Sequence, residues 1–248
     1  MKADAQAMSS GRSSNKIAVF DPAARVFAFP KDPWKLTGEI SKKLGTQEER
    51  LATFKSFDGR PPESIQVINI AQVGSLAVAK LKISTPADGT AFFLAAYRAQ
   101  GCQIVDLWHI ARADNDDGLD RTATIRQLID TNNAGDVQAF LELSSDEVLH
   151  FRNTGDPHAI GDKPSKRNGD PVGRRKAFTE MFKSGAPALV QAVSLFAVGD
   201  LVVSQDVARL RDGRILDEIS IYRIKDGKIV HDWLIAEQVR PNGSGGGT

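Results

Sequence analysis

The sequence predicts an α+β protein made of two tandem copies of one domain, each a curved antiparallel sheet wrapped around helices. Two observations carry this. The first is an internal repeat: Trp108 and Trp233, Tyr97 and Tyr222, and Gly74 and Gly199 each stand 125 residues apart. At the same separation Ile104, Val105, Ile110 and Ala111 recur as Ile229, Val230, Ile235 and Ala236. Further upstream, Asp21, Ala52, Phe57 and Pro62 find Asp146, Ala177, Phe182 and Pro187. A solenoid period is about 20–50 residues, so a repeat of this length is a whole domain. The second is the order of elements in each copy, helices and one early strand followed by a run of strands, which is the pattern of an α+β domain.

In the first copy, Lys16–Phe20 is a short apolar piece closed by Asp21-Pro22, and Ala24–Phe29 reads as a strand. Residues 30–44 form a loop, and Thr46–Phe57 is helical, with Leu51, Phe54 and Phe57 at helical spacing. Pro61-Pro62 stops it. Strands follow over Ser64–Ile70, Leu76–Ile83, Ala91–Ala99 and Gln103–Ala111, turning at Val73-Gly74 and Gln100-Gly101. Ala113–Asp120 is acidic and polar and reads as a linker. The domains are therefore expected over residues 15–113 and 121–240.

The second copy opens with a helix over Arg121–Asn132, carrying Ile125, Leu128 and Ile129 on one face behind Asp120 or Thr122 as caps. Asn133-Ala-Gly-Asp136 separates it from a second helix that turns Val137, Phe140 and Leu141 inward. A strand covers Glu147–Asn153, a Gly/Pro/Asp loop covers Thr154–Val172, and a third helix covers Gly173–Phe182. Strands over 188–197, 201–210, 214–224 and 228–239 complete the copy, with Asp212-Gly213 and Asp226-Gly227 as tight hairpin turns. The helix over 121–132 maps to positions before residue 8, so the first copy has no counterpart to it.

A net charge of +1 gives no electrostatic case for nucleic acid or an anionic membrane as a partner. The single cysteine, Cys102, excludes an internal disulfide. No apolar run reaches the ~18 residues of a membrane span and no signal-peptide core is present, so the expected location is cytoplasmic. Met1–Ser14 is small and polar, and Gly243–Thr248 reads as linker or tag remnant. The four histidines are scattered without metal-ligand spacing, and no phosphate loop or nucleophile elbow occurs, so neither metal nor cofactor is expected.

Asn-Ala-Gly-Asp between the first two helices, and the ending Arg-Ile-Lys-Asp-Gly-Lys-Ile-Val-His-Asp-Trp, resemble the nuclear-transport-factor-2-like superfamily. Residues 121–240 are similar to its SnoaL-like polyketide-cyclase branch, and residues 16–112 resemble the putative lumazine-binding branch, notably in Leu76-Ala-Val-Ala-Lys80 and from Tyr97 to His109. The resemblance implies a cone whose helices and sheet enclose an apolar pocket for a small hydrophobic or polyketide-like ligand. It also implies association through the outer sheet face. The chain would then be a monomer acting as an internal pseudo-dimer, or a homodimer. The first cone, short of a helix, is expected to have the poorer pocket.

Strand alternation places Val148, His150 and Arg152 on one face of their strand, and His231, Trp233, Ile235 and Glu237 on one face of theirs. The resemblance turns both sets into the cone. The expected site is then His150, His231 and Glu237 handling protons, Arg152 holding negative charge, and Trp233 and Ile235 forming a wall. His158 stands on a loop placed to cover the mouth. Alternation assigns Asp232 to the outer face, and Asp217-Glu218 reads as a solvated strand face. The cyclase branch has its acid near Glu237, where an Asp is expected; the steroid-isomerase branch has an Asp near Arg152, and a cation there argues against that chemistry. The same residues also fit a salt-bridged surface face. The matching positions of the first copy, Arg25, Phe27, Asp106, Trp108 and Arg112, do not repeat the acid–base set. Three functions stand open: ligand binding with cofactor-independent cyclisation, isomerisation or dehydration; a non-catalytic carrier or association module; and a tandem epoxide hydrolase of the polyether type.

Overall fold

The computed structural model describes residues 13–32, 34–56, 58, 64–86, 88–116, 121–152, 160, 163–164 and 170–240. The chain divides into two compact units, Met1–Asp117 and Gly118–Thr248. The N-terminal unit runs α1 (Ser13–Ala18), β1 (Phe20–Phe27), α2 (Gln47–Lys55), β2 (Ser64–Val73), β3 (Leu76–Thr85), β4 (Gly89–Gln100) and β5 (Gln103–Ala113). The C-terminal unit runs α3 (Arg121–Ala134), α4 (Val137–Glu142), β6 (Ser144–Arg152), β7 (Lys163–Pro164), α5 (Pro171–Phe182), β8 (Ala188–Val198), β9 (Leu201–Leu210), β10 (Ile215–Lys225) and β11 (Lys228–Val239).

Both sheets have one plan. Their strand orders are β1-β5-β4-β3-β2 and β7-β6-β11-β10-β9-β8. The last four strands of each unit form an antiparallel meander, as expected. The early strand does not extend that pattern, because β1 lies parallel to β5 and β6 parallel to β11. The sheets are therefore mixed, and in each unit a helix and the first three meander strands lie between the parallel partners, ample chain for the return a parallel pair requires. Lys16–Phe20, read as a mere apolar piece, is divided between the end of α1 and the start of β1.

Local chemistry sets the boundaries. Thr46 caps α2 through a reciprocal capping box with Glu49, and Asp170 caps α5 by accepting from the Gly173 amide, with Pro171 in the first turn. The β10–β11 hairpin closes on Asp226 and Gly227, both at positive φ (50° and 73°), the geometry whose twist matches the strands. Asn133 of the Asn-Ala-Gly-Asp motif and Asn132 before it tie the end of α3 to edge strand β8. Asn132 donates to the Ala188 carbonyl, while Asn133 donates to the Val190 carbonyl and accepts from its amide, all at 2.8 Å.

The helices lie on one face of each sheet. In the C-terminal unit Ile125 and Leu128 of α3 share an apolar cluster with Val202, Tyr222, Val148 and Ile229. In the N-terminal unit Phe54 of α2 joins Val26, Ala95 and Leu107. The positions that would carry a counterpart of α3 in the first unit fall outside the described residues.

The repeat holds through the meander at a separation of 125 but not before it. Phe27 stacks on Trp108, with ring centroids 5.6 Å apart, whereas Phe151 stacks on Trp233 at 5.4 Å. Phe27 therefore corresponds to Phe151, and the first strand repeats at 124. Helix caps Thr46 and Asp170 keep that spacing, and so do the buried Arg50 and Arg174. One residue is gained between α5 and β8.

Candidate functional site

That single residue decides which side chains meet. On β6 and β11 the register pairs His231 with Leu149, Asp232 with His150, Trp233 with Phe151 and Leu234 with Arg152. A one-residue slip moves every side chain of a strand to the opposite face. His150 and Arg152 therefore lie on the helix side. His231, Trp233 and Ile235 lie on the other, where Trp233 stacks on His231 and Phe151 at 5.0 and 5.4 Å and Phe151 meets His231 tilted at 6.1 Å. This corrects the expected site, since His150 and His231 occupy opposite faces of one sheet.

Asp232, which alternation placed outside, is the partner of His150. Its Oδ2 lies 3.0 Å from His150 Nδ1. An ionised carboxylate only accepts, so Nδ1 donates to it, and in the neutral ring the lone pair is then on Nε2. Nε2 is buried and has no partner among the described residues. Solvent still reaches the pair, with side-chain exposures of 11% and 26%.

Three rows of side chains cross the helix-facing side of this sheet. Register aligns Val202, Tyr222, Asp232 and His150 in the first. Ser204, Ser220, Leu234 and Arg152 form the second, and Asp206, Glu218 and Glu237 the third. Glu237 reaches this side because the ladder bulges between Ile219 and Ser220, leaving Ile235 as the extra residue. It is exposed there, as is Arg152. Asp217 points away and pairs with Arg240, so Asp217-Glu218 is not one solvated face. His158 lies outside the described residues.

Burial sets the protonation of this face. Glu218 is pushed up to about 7, first by desolvation and then by the charges of Glu237, Asp206 and Asp232, with Arg152 opposing. Asp206 rises to about 6 through desolvation, although the Ser204 hydroxyl donates to it at 2.6 Å. Burial likewise holds the Tyr222 phenol well above its usual range. The face thus carries two carboxyl groups raised toward neutrality on the same side of the sheet as His150.

The helices supply an aromatic wall. Phe178 of α5 lies 6.0 Å from the His150 ring and 5.0 Å from Phe140 of α4, which meets Phe182 at 5.3 Å. The Arg174 guanidinium stands 5.8 Å from the Phe178 ring. Its pKa is lowered by burial, and Asp232 is the first charge opposing that shift. Among the described residues no group of His, Cys, Asp or Glu converges to hold a metal ion. Nor is any helix among them long and apolar enough to cross a membrane.

No family model matches the chain, and no curated protein matches it. Solved structures do align, each over about half of it. IdmH, a proposed polyketide cyclase from Streptomyces antibioticus, is 22% identical, with 47% of this chain and 91% of that one covered at a TM-score of 0.38. An NTF2-like protein of unknown function from Mesorhizobium loti is 19% identical, with 51% and 97% covered at 0.39. A proposed ketosteroid isomerase from Kribbella flavida is 17% identical, with 50% and 84% covered at 0.34.

The sequence held signals for the residues that alternation missed. Ser204 and Asp206 alternate with Val203 and Val207, and Ser220 and Glu218 with Ile219 and Ile221. Polar residues in phase on two neighbouring strands of a sheet that packs helices mark an inner face with work other than packing.

Proposed function

We propose that the C-terminal unit binds a small, mostly apolar ligand on the helix-facing side of its sheet and moves a proton on it. His150 accepts the proton at Nε2, Asp232 holds the imidazole in the tautomer that can do so, and Glu218 or Asp206 donates one. The observation that carries this reading is the His150–Asp232 contact at 3.0 Å with Nε2 left unpartnered among the described residues. A general base needs an oriented ring and a free lone pair; the Asp232 contact supports the first, and the neutral tautomer it favours would supply the second. The two carboxyl groups raised toward neutrality supply the complementary acid. Such a site suits enolisation, as in an isomerisation, aldol-type cyclisation or dehydration, and asks for no cofactor.

The test is hydrogen–deuterium exchange at the α-carbon of 2-tetralone in D2O, followed by proton NMR. The wild type is expected to exceed the protein-free rate, and His150→Gln to lose at least about 100-fold of that excess. Equal rates for the two proteins would contradict the proposal.

A second reading has one observation in its favour, the sharing of a face by Asp206, Glu218 and Asp232. Opening of a strained ether needs a base to deprotonate the attacking water and an acid to protonate the leaving oxygen. Hydrolysis of styrene oxide without exchange of 2-tetralone would favour it.

A further inference from the structure

We propose that Arg174 receives an anionic oxygen of the ligand, so that the C-terminal unit selects flat organic carboxylates over their neutral counterparts. This rests on the proton-transfer reading and narrows its substrate class.

Arg174 and Arg50 occupy equivalent places in the first turn of equivalent helices, yet they are used differently. Arg50 is fully buried, and its two terminal nitrogens donate to the carbonyls of Ala24, Leu44, Gly45, Asp21 and Pro22 at 2.6–3.2 Å. That guanidinium is a structural brace. Arg174 is 5% exposed, and its Nε is buried without a partner among the described residues. Arg50 shares the unpartnered Nε and lies over the Phe20 ring at 5.5 Å, but the Arg174 guanidinium has no carbonyl among the described residues to donate to, and lies 5.8 Å from Phe178, the ring 6.0 Å from His150.

Two buried nitrogens without partners among the described residues, Arg174 Nε and His150 Nε2, thus flank one phenyl ring. Holding a cation out of water with donors unfilled is costly, and a bound anion removes that cost. A guanidinium fork matches a carboxylate in plane and spacing. Asp232, the acid whose charge acts most on Arg174, is already engaged by His150. A flat body lying along Phe178 would place its carboxylate at Arg174 and its acidic C–H toward Nε2.

The experiment compares 2-naphthoate with 2-naphthamide, equal in shape and differing in charge, by titration calorimetry on the full-length protein. The acid is expected to bind at least tenfold more tightly. Arg174→Met should abolish that preference and Arg174→Lys should keep most of it. Arg174→Gln gives the same neutral comparison should the Met variant not fold. Equal affinity for acid and amide in the wild type would overturn this inference while leaving the proton-transfer reading intact. So would a preference that survives Arg174→Met but is lost in Arg152→Gln. Failure of both compounds to bind would overturn the inference together with the helix-side ligand binding of the proton-transfer reading.

Discussion

The two units lay the same three rows of side chains across the same face of the same sheet, and fill them oppositely. In the N-terminal unit the first row is Ala77, Tyr97, Leu107 and Val26, where the C-terminal unit has Val202, Tyr222, Asp232 and His150. Ala79 and Ala95 stand where Ser204 and Ser220 do. Leu81, Phe93 and Arg112 stand for Asp206, Glu218 and Glu237, with the Arg112 guanidinium over the Phe93 ring at 5.7 Å. Val26, Leu107 and Ala95 sit in the apolar core of the first unit. The same backbone plan carries mainly apolar side chains in one unit, with His109 in its second row and Arg112 in its third, and carboxylates with His150 in the other. The opposite face is retained only in part: Arg98 lies over Trp108 at 5.4 Å as Arg223 lies over Trp233 at 5.5 Å, but buried Asp106, which holds Arg25 and Arg98 in the first unit, is replaced by His231 in the second.

Exchanging one inner residue between units should break the symmetry most sharply. Leu107→Asp puts an unpaired carboxylate into an apolar core and should cost the first unit about 3–5 kcal/mol, read by chemical denaturation. The reverse change, Asp232→Leu, should move stability by less than about 1.5 kcal/mol while abolishing 2-tetralone exchange. Equal destabilisation by the two changes would mean that the inner rows do not differ in kind.

The arginines give the next contrast. Arg50→Met strands five backbone carbonyls and should cost about 3 kcal/mol or more, whereas Arg174→Met should cost about 1 kcal/mol. A larger loss at Arg174 would assign it the bracing role.

Titration supplies the smallest effect. Glu218 folds with its pKa raised from 4.5 to about 7, so between those values the native state holds a proton that the unfolded chain has released. Its contribution is fully present below pH 4.5 and is lost as pH rises through about 7. Glu218→Gln should therefore match the wild type near pH 4 and exceed it near pH 8, by on the order of 2 kcal/mol. Phe93→Leu at the matching position should show no such pH dependence.

The duplicated plan was legible from the chain. Tryptophans, tyrosines and glycines of the meander keep one separation because hairpin turns and cross-strand rows tolerate no insertion. The hairpin glycines and the Asn-Ala-Gly-Asp link were read correctly for the same local reason. The site was half legible. His150 and Arg152 were placed on the helix side, but a strand shows only which residues share a face, not which face meets a parallel neighbour. That choice hung on the single-residue change of spacing before β8, visible in Phe27 and Phe151 and in Arg50 and Arg174. Asp21 and Asp146, or Ala52 and Ala177, match at the wrong separation by composition alone. Glu237 was assigned beside His231 because alternation was carried through Ile235, where the bulge interrupts it. Asp206 and Glu218 were passed over since a carboxylate on a strand ordinarily faces water.

The central claim is that the reactive histidine is the one on the helix side. Imidazole nitrogen NMR of the full-length protein, with and without saturating 2-naphthoate, tests it most directly. The ring nitrogens of His150 are expected to shift on binding, with the proton remaining on Nδ1, while those of His231 stay where they were. Shifts at His231 with His150 unmoved would place the ligand on the opposite face of the sheet and contradict the account.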